Sequence, residues 1–487
     1  MATSTAQQMF LAGEWQDSAT GETLEATSPA TGERIGSVPE GDRSDAQRAI
    51  EAARGANEQW ARMTAFERAA KMSAVAEIIE SRRDELARTL TLDQGKPLRT
   101  EAFDEVDELV EYWRMAAEDG KRLGGELPNS LSAGKRVMLV RRPRGVIGVI
   151  SPWNWPYTMP AELIAPALAC GNAVVWTPAP STALCAVALA RCIADADLPP
   201  GVFNLVTGPG PVVGDEIARN PGTDGVAFIG STATGRLVAQ AAAGKPALLE
   251  MGGNGPLVVM GDADLDAAVA ATLAACYLCA GQSCTAGERI LVHHTVKDEF
   301  VELLARRVTE LVLLGDPFDD ATTMGPVNNE PVARKMDEHV GDALERGARV
   351  LSGGARATGF ATDLYWEPTV LTDVPPDARI AVEETFGPVA PVVGIGSLAE
   401  AISLTNASPY GLLAAIFTAN LSEGLEFADH VRTGWVNINE STNYWEAHLP
   451  FGGRAGTDSG IGRVGGANVM HSFTELQTVV ITPAGNR

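Results

Sequence analysis

A thiol and a carboxylate in this sequence occupy positions suited to covalent catalysis. Cys284 lies among small residues in segment 281–285 (GQSCT), and Glu250 lies 34 positions upstream, between an apolar run and two glycines. A thiolate can attack a carbonyl carbon, and a carboxylate can then deprotonate the water that hydrolyses the thioester. Each residue alone has a simpler interpretation, because most single cysteines are buried and inert and most glutamates are solvated. The small neighbours of Cys284 leave its sulfur accessible and Glu250 follows an apolar strand, at an end where substrates bind, and both interpretations stay open at this point.

Asn154 is a third candidate catalytic residue, because it lies in the rigid segment 152–156 (PWNWP). A side-chain amide fixed in such a loop can donate a hydrogen bond to a developing oxyanion, which is typically worth a few kcal/mol. The alternative is an asparagine that only satisfies the backbone of its own turn.

Segment 228–235 (FIGSTATG) follows an apolar strand and opens a helix, a geometry that suits a pyrophosphate at a helix N-terminus. Ser231 is the candidate phosphate donor in this turn. A second glycine run, 208–214 (GPGPVVG), resembles a dinucleotide fingerprint with one residue too many, and such an isolated match is weak. The first turn is therefore the stronger prediction of a cofactor site.

These segments resemble the catalytic signatures of the aldehyde dehydrogenase superfamily, and the resemblance covers almost the whole chain. Further segments that match the family are 383–388 (EETFGP), 406–412 (NASPYGL), 434–439 (GWVNIN) and 450–453 (PFGG). The resemblance implies a hydrolytic, NAD(P)-dependent oxidation of an aldehyde to a carboxylic acid. In that reaction Cys284 is the nucleophile, Asn154 and the Cys284 N–H stabilise the oxyanion, and Glu250 activates water.

The resemblance also implies which residues meet NAD or NADP. Glu384 and Phe386 match the pair that holds the nicotinamide ribose and supports the nicotinamide ring. The other residues expected at the cofactor are Ser151, Trp153, Thr177, Pro180, Gly210, Phe228, Gly230, Ser231, Glu250 and Gly252. The family commonly has a lysine at the position of Thr177, and a glutamate or a small residue at that of Pro180. Because this chain lacks both the ribose-binding lysine and the acid that excludes NADP, we expect it to use both cofactors with a weak preference.

The same resemblance implies a substrate tunnel in front of Cys284. Its expected lining residues are Trp155, Tyr157, Met159, Glu162, Leu278, Ser283, Thr285 and Phe451, with Tyr444 and Trp445 near the mouth. No arginine or lysine is among them, so a carboxylated semialdehyde would lack the cation that usually holds its far end. The aromatic wall favours aromatic or medium-chain apolar aldehydes, and the long spacing after Gly452-Gly453 resembles benzaldehyde-type members. Two interpretations stay open: a broad-range enzyme, and a cage of Trp155 and Glu162 for a betaine-type or amino aldehyde.

Three other functions are compatible with parts of the sequence. A thiol hydrolase acting on a nitrile or amide could use Cys284 and Glu250, but it has no use for the phosphate turn at 228–235. A coenzyme-A-acylating dehydrogenase dispenses with the Glu250 base. A catalytically silent relative is disfavoured because all three catalytic positions are intact. The hydrolytic dehydrogenase is therefore favoured.

Hydrophobic periodicity predicts the elements that position these residues. Helices with apolar residues at three- and four-residue spacing are expected at 45–62, 65–93 and 101–119. Short apolar strands alternating with helices predict a doubly wound parallel sheet, with strands at 145–151, 173–177, 202–207, 225–229 and 247–251. A second β/α series continues at 264–280, 289–293, the long helix 296–313, 333–346, 389–395 and 398–406.

Two segments, 124–142 and 472–481, alternate apolar and polar residues like strands outside either series. The family resemblance implies that they form a bridging, oligomerising flap. We therefore expect an α/β fold with three parts: a Rossmann-like cofactor-binding domain (1–123 and 143–250), an α/β catalytic domain (251–453) and a small β oligomerisation flap (124–142 and 470–487).

Composition limits the class of protein. The 487 residues are 45% hydrophobic and 21% charged, as in an ordinary soluble protein of two or three domains. A net charge of −24 argues against nucleic acid as a partner, and no apolar run reaches the roughly 18 residues of a membrane helix. Residues 1–9 lack the features of a secretory signal, so we expect a cytoplasmic enzyme; the resemblance implies a homodimer or homotetramer. The six cysteines are expected to be free thiols, and Cys276 and Cys279 lack the second pair that a structural metal site needs.

Overall fold

The computed structural model describes residues 6–483 and contains two large β-sheets flanked by helices. The strands of the first half of the chain are β1 (Met9–Leu11), β2 (Glu14–Gln16), β3 (Thr23–Thr27), β4 (Arg34–Pro39), β5 (Arg136–Pro143), β6 (Val146–Ile150), β7 (Ala173–Thr177), β8 (Phe203–Leu205), β9 (Gly225–Ile229) and β10 (Ala247–Glu250). The helices of this half are α1 (Arg43–Arg62), α2 (Ala65–Ser81), α3 (Arg83–Gln94), α4 (Phe103–Arg122), α5 (Thr158–Ala169), α6 (Ala183–Ala194), α7 (Asp215–Arg219) and α8 (Thr232–Ala241).

The second half of the chain repeats the alternation of strands and helices. Its strands are β11 (Gly255–Val259), β12 (Gly287–His293), β13 (Arg349–Ser352), β14 (Thr369–Thr372), β15 (Val389–Ile395), β16 (Leu413–Phe417), β17 (Trp435–Ile438), β18 (Gly460–Ile461) and β19 (Thr474–Ile481). Its helices are α9 (Leu265–Tyr277), α10 (Lys297–Leu311), α11 (Glu330–Glu345), α12 (Arg379–Val382), α13 (Leu398–Ala407), α14 (Leu421–His430) and α15 (Gly466–Ser472).

The first sheet has eight strands in the order β18-β10-β9-β6-β7-β8-β1-β2. Its five central strands, β10 to β8 in that order, run parallel. They are the five strands expected from the apolar runs, with ends shifted by at most two residues. The predicted α/β class with a parallel sheet is therefore confirmed. The edge strands β1, β2 and β18 pair antiparallel and do not follow from the sequence pattern.

The second sheet has seven strands in the order β13-β14-β15-β12-β11-β16-β17. Six of them run parallel, and β13 joins the edge antiparallel. The sequence pattern identified β12 and β15 together with helices α9, α10, α11 and α13. Strands β10 and β11 belong to different sheets but are joined by only four residues, 251–254. The carboxyl end of the first sheet and the start of the second are therefore held together at this junction.

Strands β5 and β19 form a separate antiparallel ribbon, with Thr474 opposite Pro143 and Ile481 opposite Arg136. The expected strand at 124–142 is thus shorter than predicted, because residues 127–135 form no regular element. The expected helix at 65–93 is divided at Arg82, whose φ of −108° and ψ of 16° lie outside the helical region. The ends of the predicted cofactor domain and flap, residues 1–5 and 484–487, lie outside the described residues.

All residues of helix α5 are buried. It packs against α4, α2 and strands β6 and β7, and so lies between the first sheet and the layer formed by helices α2 and α4. A helix in this position normally carries only apolar side chains. Helix α5 nevertheless contains Glu162, which is 3% exposed. In the part of the chain that the structure describes, no helix is long and apolar enough to cross a membrane.

Candidate active site

Two cavities meet at the predicted nucleophile. The first has a volume of about 340 Å³ and extends over the carboxyl end of the first sheet. The second has a volume of about 240 Å³ and extends toward helices α4 and α5. Met159, Glu250 and Cys284 line both cavities. A molecule in either cavity can therefore reach the same thiol and the same carboxyl group.

The loop that carries Cys284 is fixed on both sides of the thiol. Cys279, Ala280 and Gly281 have φ values of 54°, 52° and 71°, so three consecutive residues are left-handed and the chain reverses sharply after α9. A Cβ at Gly281 would come within 2.2 Å of the Gly387 carbonyl oxygen, so only glycine fits there. Left-handed non-glycine residues cost free energy, and surrounding contacts have to hold them in place.

Hydrogen bonds supply those contacts. The Gln282 side chain donates to the Cys279 carbonyl at 2.8 Å and accepts from the Asn328 N–H at 2.8 Å. On the other side of the thiol, the Thr285 hydroxyl donates to Asn443 Oδ1 at 2.6 Å, and the Ser283 and Thr285 hydroxyls lie 2.8 Å apart. The neighbours of Cys284 are thus held by other groups, and its side chain stays partly exposed.

Cys284 and Glu250 perturb each other. Burial raises the pKa of the Cys284 thiol well above its ordinary value, and the negative charges of Glu250 and Glu384 raise it further. Burial also raises the pKa of Glu250 to about 8, Glu384 adds to the rise, and hydrogen bonding with Cys284 opposes it. Within the described residues, Glu250 Oε1 has no hydrogen-bond partner with standard geometry. A carboxyl group whose pKa lies near neutrality, with an unpaired oxygen and a place in the wall of both cavities, suits a general base.

Asn154 lies beside the nucleophile loop and is anchored to it. Its side-chain Nδ2 donates to the main-chain carbonyl of Gln282 at 3.0 Å, and its main-chain carbonyl accepts from the Cys279 thiol at 3.6 Å. Asn154 is 5% exposed and lines the first cavity together with Cys284. A side-chain amide has two N–H donors, so one of them is available to an oxygen bound at the thiol. The three predicted catalytic residues are therefore brought together.

Several predicted cofactor residues line the first cavity. They are Trp153, Gly230, Ser231, Glu250, Gly252, Glu384 and Phe386. Glu384 Oε1 accepts from the Gly253 N–H at 2.8 Å, and burial raises the pKa of Glu384 while Lys335 opposes the rise. Phe386 has a φ of 63° and meets the Trp153 ring edge-on, with 5.6 Å between ring centroids. These contacts build one aromatic and one acidic wall.

The phosphate turn has the expected strand–turn–helix structure. Ser231 is the N-cap of α8, and its hydroxyl accepts from the Thr234 N–H at 3.3 Å. A Cβ at Gly230 would come within 2.7 Å of Phe228 Cζ, so the glycine lets the chain turn closely over that ring. A helix N-terminus beside a cavity favours an anion such as a phosphate. The turn therefore fits the pyrophosphate of a dinucleotide.

Five predicted cofactor residues do not line either cavity. The Phe228 ring is buried beneath the turn, and Ser151 Oγ accepts from Trp176 Nε1 at 2.8 Å. Thr177 is buried at the end of β7, whereas Pro180 and Gly210 lie at the exposed start of short helical turns. Phe228 is better described as support for the turn than as a contact residue. The remaining four stay predictions for contact with the cofactor, Thr177 and Pro180 at its adenosine ribose.

The second cavity contains most of the predicted substrate residues. They are Trp155, Met159, Glu162, Leu278, Ser283, Thr285, Trp445 and Phe451. Two predicted residues are absent from its wall. Tyr157 is fully buried and its hydroxyl donates to the Leu86 carbonyl at 3.1 Å, because the start of α5 directs it into the helical layer. Tyr444 is 47% exposed and donates to Glu446. The assignment of Tyr157 to the tunnel wall is therefore wrong, whereas the place of Tyr444 near the tunnel mouth stays a prediction.

Other lining residues do not follow from the sequence motifs. In the first cavity these include Asn329, Val332 and Lys335, which come from the start of α11. In the second cavity they are Glu108, Asn443 and Val464. Helix α11 carries no local motif. The only signal in its sequence is a lysine near the start of an amphipathic helix. For Glu108 the sequence indicated only a charged helix surface.

The second cavity is acidic and aromatic. The Trp445 and Phe451 rings lie 5.6 Å apart between centroids. Burial raises the pKa of Glu162 well above its ordinary range, and Glu250 and Glu108 add to the rise. Burial, followed by the charge of Glu105, raises the pKa of Glu108 to about 7. No arginine, lysine or histidine is among the lining residues of this cavity.

The cysteines other than Cys284 have structural surroundings. The Cys276 thiol donates to the Gly287 carbonyl at 3.2 Å, whereas the Cys279 thiol faces Asn154, so the two do not converge. Within residues 6–483, no group of three or more histidine, cysteine, aspartate or glutamate residues is arranged to hold a metal ion.

Comparison with known proteins gives a consistent result. A sequence profile of the "Aldehyde dehydrogenase family" matches residues 15–479. The chain is 38% identical to the succinate-semialdehyde dehydrogenase [NADP(+)] of Escherichia coli (strain K12) over 477 residues, which cover 98% of each protein. The structure of betaine aldehyde dehydrogenase from Staphylococcus aureus in complex with NAD+ superposes with a TM-score of 0.95 at 35% identity, covering 99% of this chain and 96% of that one. A 3,6-anhydro-L-galactose dehydrogenase in complex with NAP gives a TM-score of 0.94 at 34% identity, covering 98% and 100%.

Proposed function

Because the chain belongs to the aldehyde dehydrogenase family, it oxidises aldehydes, and we propose that its substrates are neutral aldehydes with an aromatic or medium-chain apolar body. The products are the corresponding carboxylic acids, and the electron acceptor is NAD or NADP. The observation that carries this proposal is the pair of cavities that meet at Cys284 and Glu250, one lined like a cofactor site and one aromatic.

The first chemical step is attack of the Cys284 sulfur on the aldehyde carbon. The carbonyl oxygen becomes an oxyanion, which can accept from the free N–H of Asn154 Nδ2 and from the Cys284 main-chain N–H. The thiol has to lose its proton to solvent before it attacks, and the negative charge of Glu250 opposes that loss, so Glu250 is assigned to the later hydrolysis and not to this step. A positive charge in the first cavity favours both the thiolate and the Glu250 carboxylate, because opposite charges stabilise ionised forms.

The second step is hydrolysis of the thioester. Bound NAD+ or NADP+ supplies the hydride acceptor that converts the thiohemiacetal on Cys284 to a thioester. Glu250 then takes a proton from water, the water oxygen attacks the thioester carbon, and the Cys284 sulfur leaves with the proton that restores the thiol. The free oxygen of Glu250 and its position at the junction of both cavities support this role.

Residues of the first cavity would hold the cofactor. Gly230 and Ser231 at the start of α8 suit the pyrophosphate, and Glu384 suits a ribose hydroxyl. Phe386 and Trp153 provide a wall for the nicotinamide ring. We propose that both NAD and NADP are used, since neither an acidic residue nor a lysine stands at positions 177 and 180. The relatives whose structures contain NAD+ and NAP are compatible with either choice.

The proposed substrate class differs from that of the succinate-semialdehyde relative. A carboxylate buried in a cavity needs a cation or several donors, or it loses more free energy of hydration than it regains. The second cavity offers Glu108 and Glu162 instead. Neutral aldehydes with apolar bodies can bury their rings or chains against Trp155, Trp445 and Phe451 without such a partner.

A screen of matched aldehydes tests the proposal. We expect benzaldehyde, cinnamaldehyde and medium-chain aliphatic aldehydes to have higher kcat/KM than succinate semialdehyde and betaine aldehyde, with reduced cofactor measured by absorbance. Glu299→Gln, on the exposed part of α10, is a control that should leave this order unchanged. If either charged aldehyde is the best substrate, the proposed substrate class is wrong, although the reaction type is unaffected.

We also propose a homo-oligomeric, cytoplasmic enzyme with the three-part division into 1–123 with 143–250, 251–453 and 124–142 with 470–487. The ribbon of β5 and β19 supports the oligomer, because Leu476 and Val480 are each more than half exposed on it. Such apolar side chains on a projecting ribbon suit burial against another copy. Light scattering coupled to gel filtration should give a dimer or tetramer, and Leu476→Glu combined with Val480→Glu should shift it toward the monomer.

A further inference from the structure

Two carboxyl groups that line the second cavity are not used by the proposed reaction. Glu162 projects from α5 and is 3% exposed, and Glu108 projects from the neighbouring helix α4. Within the described residues, Glu162 Oε1 has no hydrogen-bond partner. A buried, unpaired carboxyl oxygen costs free energy in the folded protein, and because Glu162 also lines the cavity, a bound ligand can supply a donor to this carboxyl group.

The hydroxyl and amide groups elsewhere in this wall are already engaged. Ser283 and Thr285 bond to each other, Thr285 donates to Asn443 Oδ1, and Asn443 Nδ2 donates to the Ala274 carbonyl at 2.6 Å. The carboxyl groups are therefore the chief unsatisfied polar groups of the cavity. The ligand that complements them carries a hydrogen-bond donor.

The charge of the cavity decides which donor fits. Burial, followed by the charges of Glu250 and Glu108, raises the pKa of Glu162 well above its ordinary range, and burial followed by the charge of Glu105 raises that of Glu108 to about 7, so the surroundings favour the protonated form of both carboxyl groups. A neutral carboxyl group both donates and accepts hydrogen bonds, and so does a hydroxyl group. An ammonium group would favour ionisation of a carboxyl group whose charged form burial disfavours, and a carboxylate would be repelled by any ionised fraction.

Building on the proposed function, we propose that Glu162 binds a hydroxyl group at the end of the aldehyde opposite its carbonyl, with Glu108 as a second partner for the same hydroxyl. Glu162 is then a specificity-determining residue for hydroxylated aromatic aldehydes. The aromatic side chains around it hold the ring, and the carboxyl groups select the substituent. A site built to bond a hydroxyl discriminates strongly against analogues that lack it, because its buried polar groups are then left unpaired.

Four para-substituted benzaldehydes test this inference, since they share a ring and differ at one group. They carry hydroxymethyl, ethyl, carboxyl and dimethylaminomethyl substituents; ethyl is the apolar counterpart of hydroxymethyl. We expect the wild-type enzyme to have a kcat/KM about tenfold higher for the hydroxymethyl than for the ethyl compound, as for one buried hydrogen bond. Glu162→Leu should reduce this ratio to about one, and Glu162→Gln should retain most of it because an amide also donates and accepts.

Glu111→Leu is the matched control, because it removes an exposed carboxyl group from α4, where Glu111 pairs with Arg114. Its ratio should equal that of the wild type. A wild-type ratio near one, or a ratio that survives Glu162→Leu, overturns the inference. A preference for the dimethylaminomethyl compound that is lost in Glu162→Gln would assign the site to a cation instead, and a preference for the carboxyl compound would also overturn it.

Two further results keep the test decisive. If Glu162→Leu does not fold, the wild-type ratios and Glu108→Leu, which should reduce the hydroxymethyl preference severalfold, decide the question. If none of the four aldehydes is oxidised while small aliphatic aldehydes are, the proposed substrate class fails together with this inference. If the ethyl and hydroxymethyl compounds are oxidised equally well, only the inference about Glu162 fails.

Discussion

Replacing Glu250 by glutamine should separate the two halves of the reaction. Glutamine keeps the size of the side chain at the junction of the cavities but cannot take a proton from water. Hydride transfer precedes hydrolysis, so the thioester on Cys284 should still form in the variant. We therefore expect about one equivalent of reduced cofactor per active site, followed by a stall, as for an acyl-enzyme that accumulates.

The pH dependence of hydrolysis gives the magnitude. Only the ionised carboxylate of Glu250 can act as a base, and its pKa is raised to about 8. With that pKa, about one tenth of Glu250 is ionised at pH 7 and about nine tenths at pH 9, so hydrolysis should accelerate about tenfold between them. The rate should rise with pH because the folded-state pKa lies above the ordinary value for a glutamate. An unperturbed glutamate would give a flat profile over this range.

Rapid mixing with the pH varied in steps measures both quantities. The burst amplitude reports thioester formation, and the steady rate after the burst reports hydrolysis. Glu299→Gln is the control, because it removes a carboxyl group from the exposed surface of α10 and should behave as the wild type. Loss of the burst in Glu250→Gln would mean that Glu250 acts before hydride transfer. A wild-type hydrolysis rate that does not change between pH 7 and pH 9 would refute its role as the base.

Three further outcomes are expected. Cys284→Ala should keep less than a few per cent of wild-type turnover while still folding and binding cofactor. Cys192 is a buried thiol in α6, so Cys192→Ala should keep its activity. A comparable loss of activity in both variants would contradict the assignment of Cys284 as the nucleophile. The ratio of kcat/KM for NAD to kcat/KM for NADP should differ from one by less than roughly 1,000-fold, which corresponds to about 4 kcal/mol. The reason is that Thr177 and Pro180 neither repel nor attract a 2′-phosphate. A larger preference would mean that another residue contacts this phosphate. Glu250→Gln should be more stable than the wild type by an amount that grows as pH rises from about 4.5 to about 8, to the order of a few kcal/mol. The reason is that Glu250 ionises in the unfolded chain over this range, whereas the folded state keeps its proton. Equal melting temperatures of the two proteins at pH 8 would contradict this.

The sequence predicts the central parallel strands well and the edges poorly. Strands β6, β7 and β9 are continuous apolar runs because both of their faces are covered by helices, and such runs are visible without a structure. Strands β1 and β2 have only three residues each and pair at the edge of the sheet. Their pairing depends on contacts with distant residues, which a local pattern does not contain.

The candidate site divides in the same way. Cys284, Asn154 and Glu250 lie in distinctive local segments, so their types and neighbours indicate their chemistry before any contact is known. Lys335 and Glu108 come from helices whose sequences show only amphipathicity. Their places in the cavities depend on how the helices pack against other elements.

Tyr157 was predicted to line the substrate tunnel, and the structure places it elsewhere. It lies two residues from Trp155, which lines the substrate cavity, so sequence proximity suggested a shared role. Its main-chain N–H instead donates to Glu105 Oε1 at 3.0 Å at the start of α5, and the helix turns its ring into the core. Both residues lie in the turn that precedes α5, where no regular repeat fixes the direction of a side chain, so closeness in sequence did not predict that they face different surroundings.

Mass spectrometry of the quenched Glu250→Gln variant detects the covalent bond between Cys284 and the acyl group, on which the proposed mechanism depends. After incubation with benzaldehyde and oxidised cofactor, we predict that the protein gains the mass of one benzoyl group and that fragment ions assign this group to Cys284. The same treatment of Cys284→Ala combined with Glu250→Gln should add no mass. Two results would contradict covalent catalysis by Cys284. One is an unmodified protein that has nevertheless reduced one equivalent of cofactor, and the other is a benzoyl group on Cys276 or Cys279.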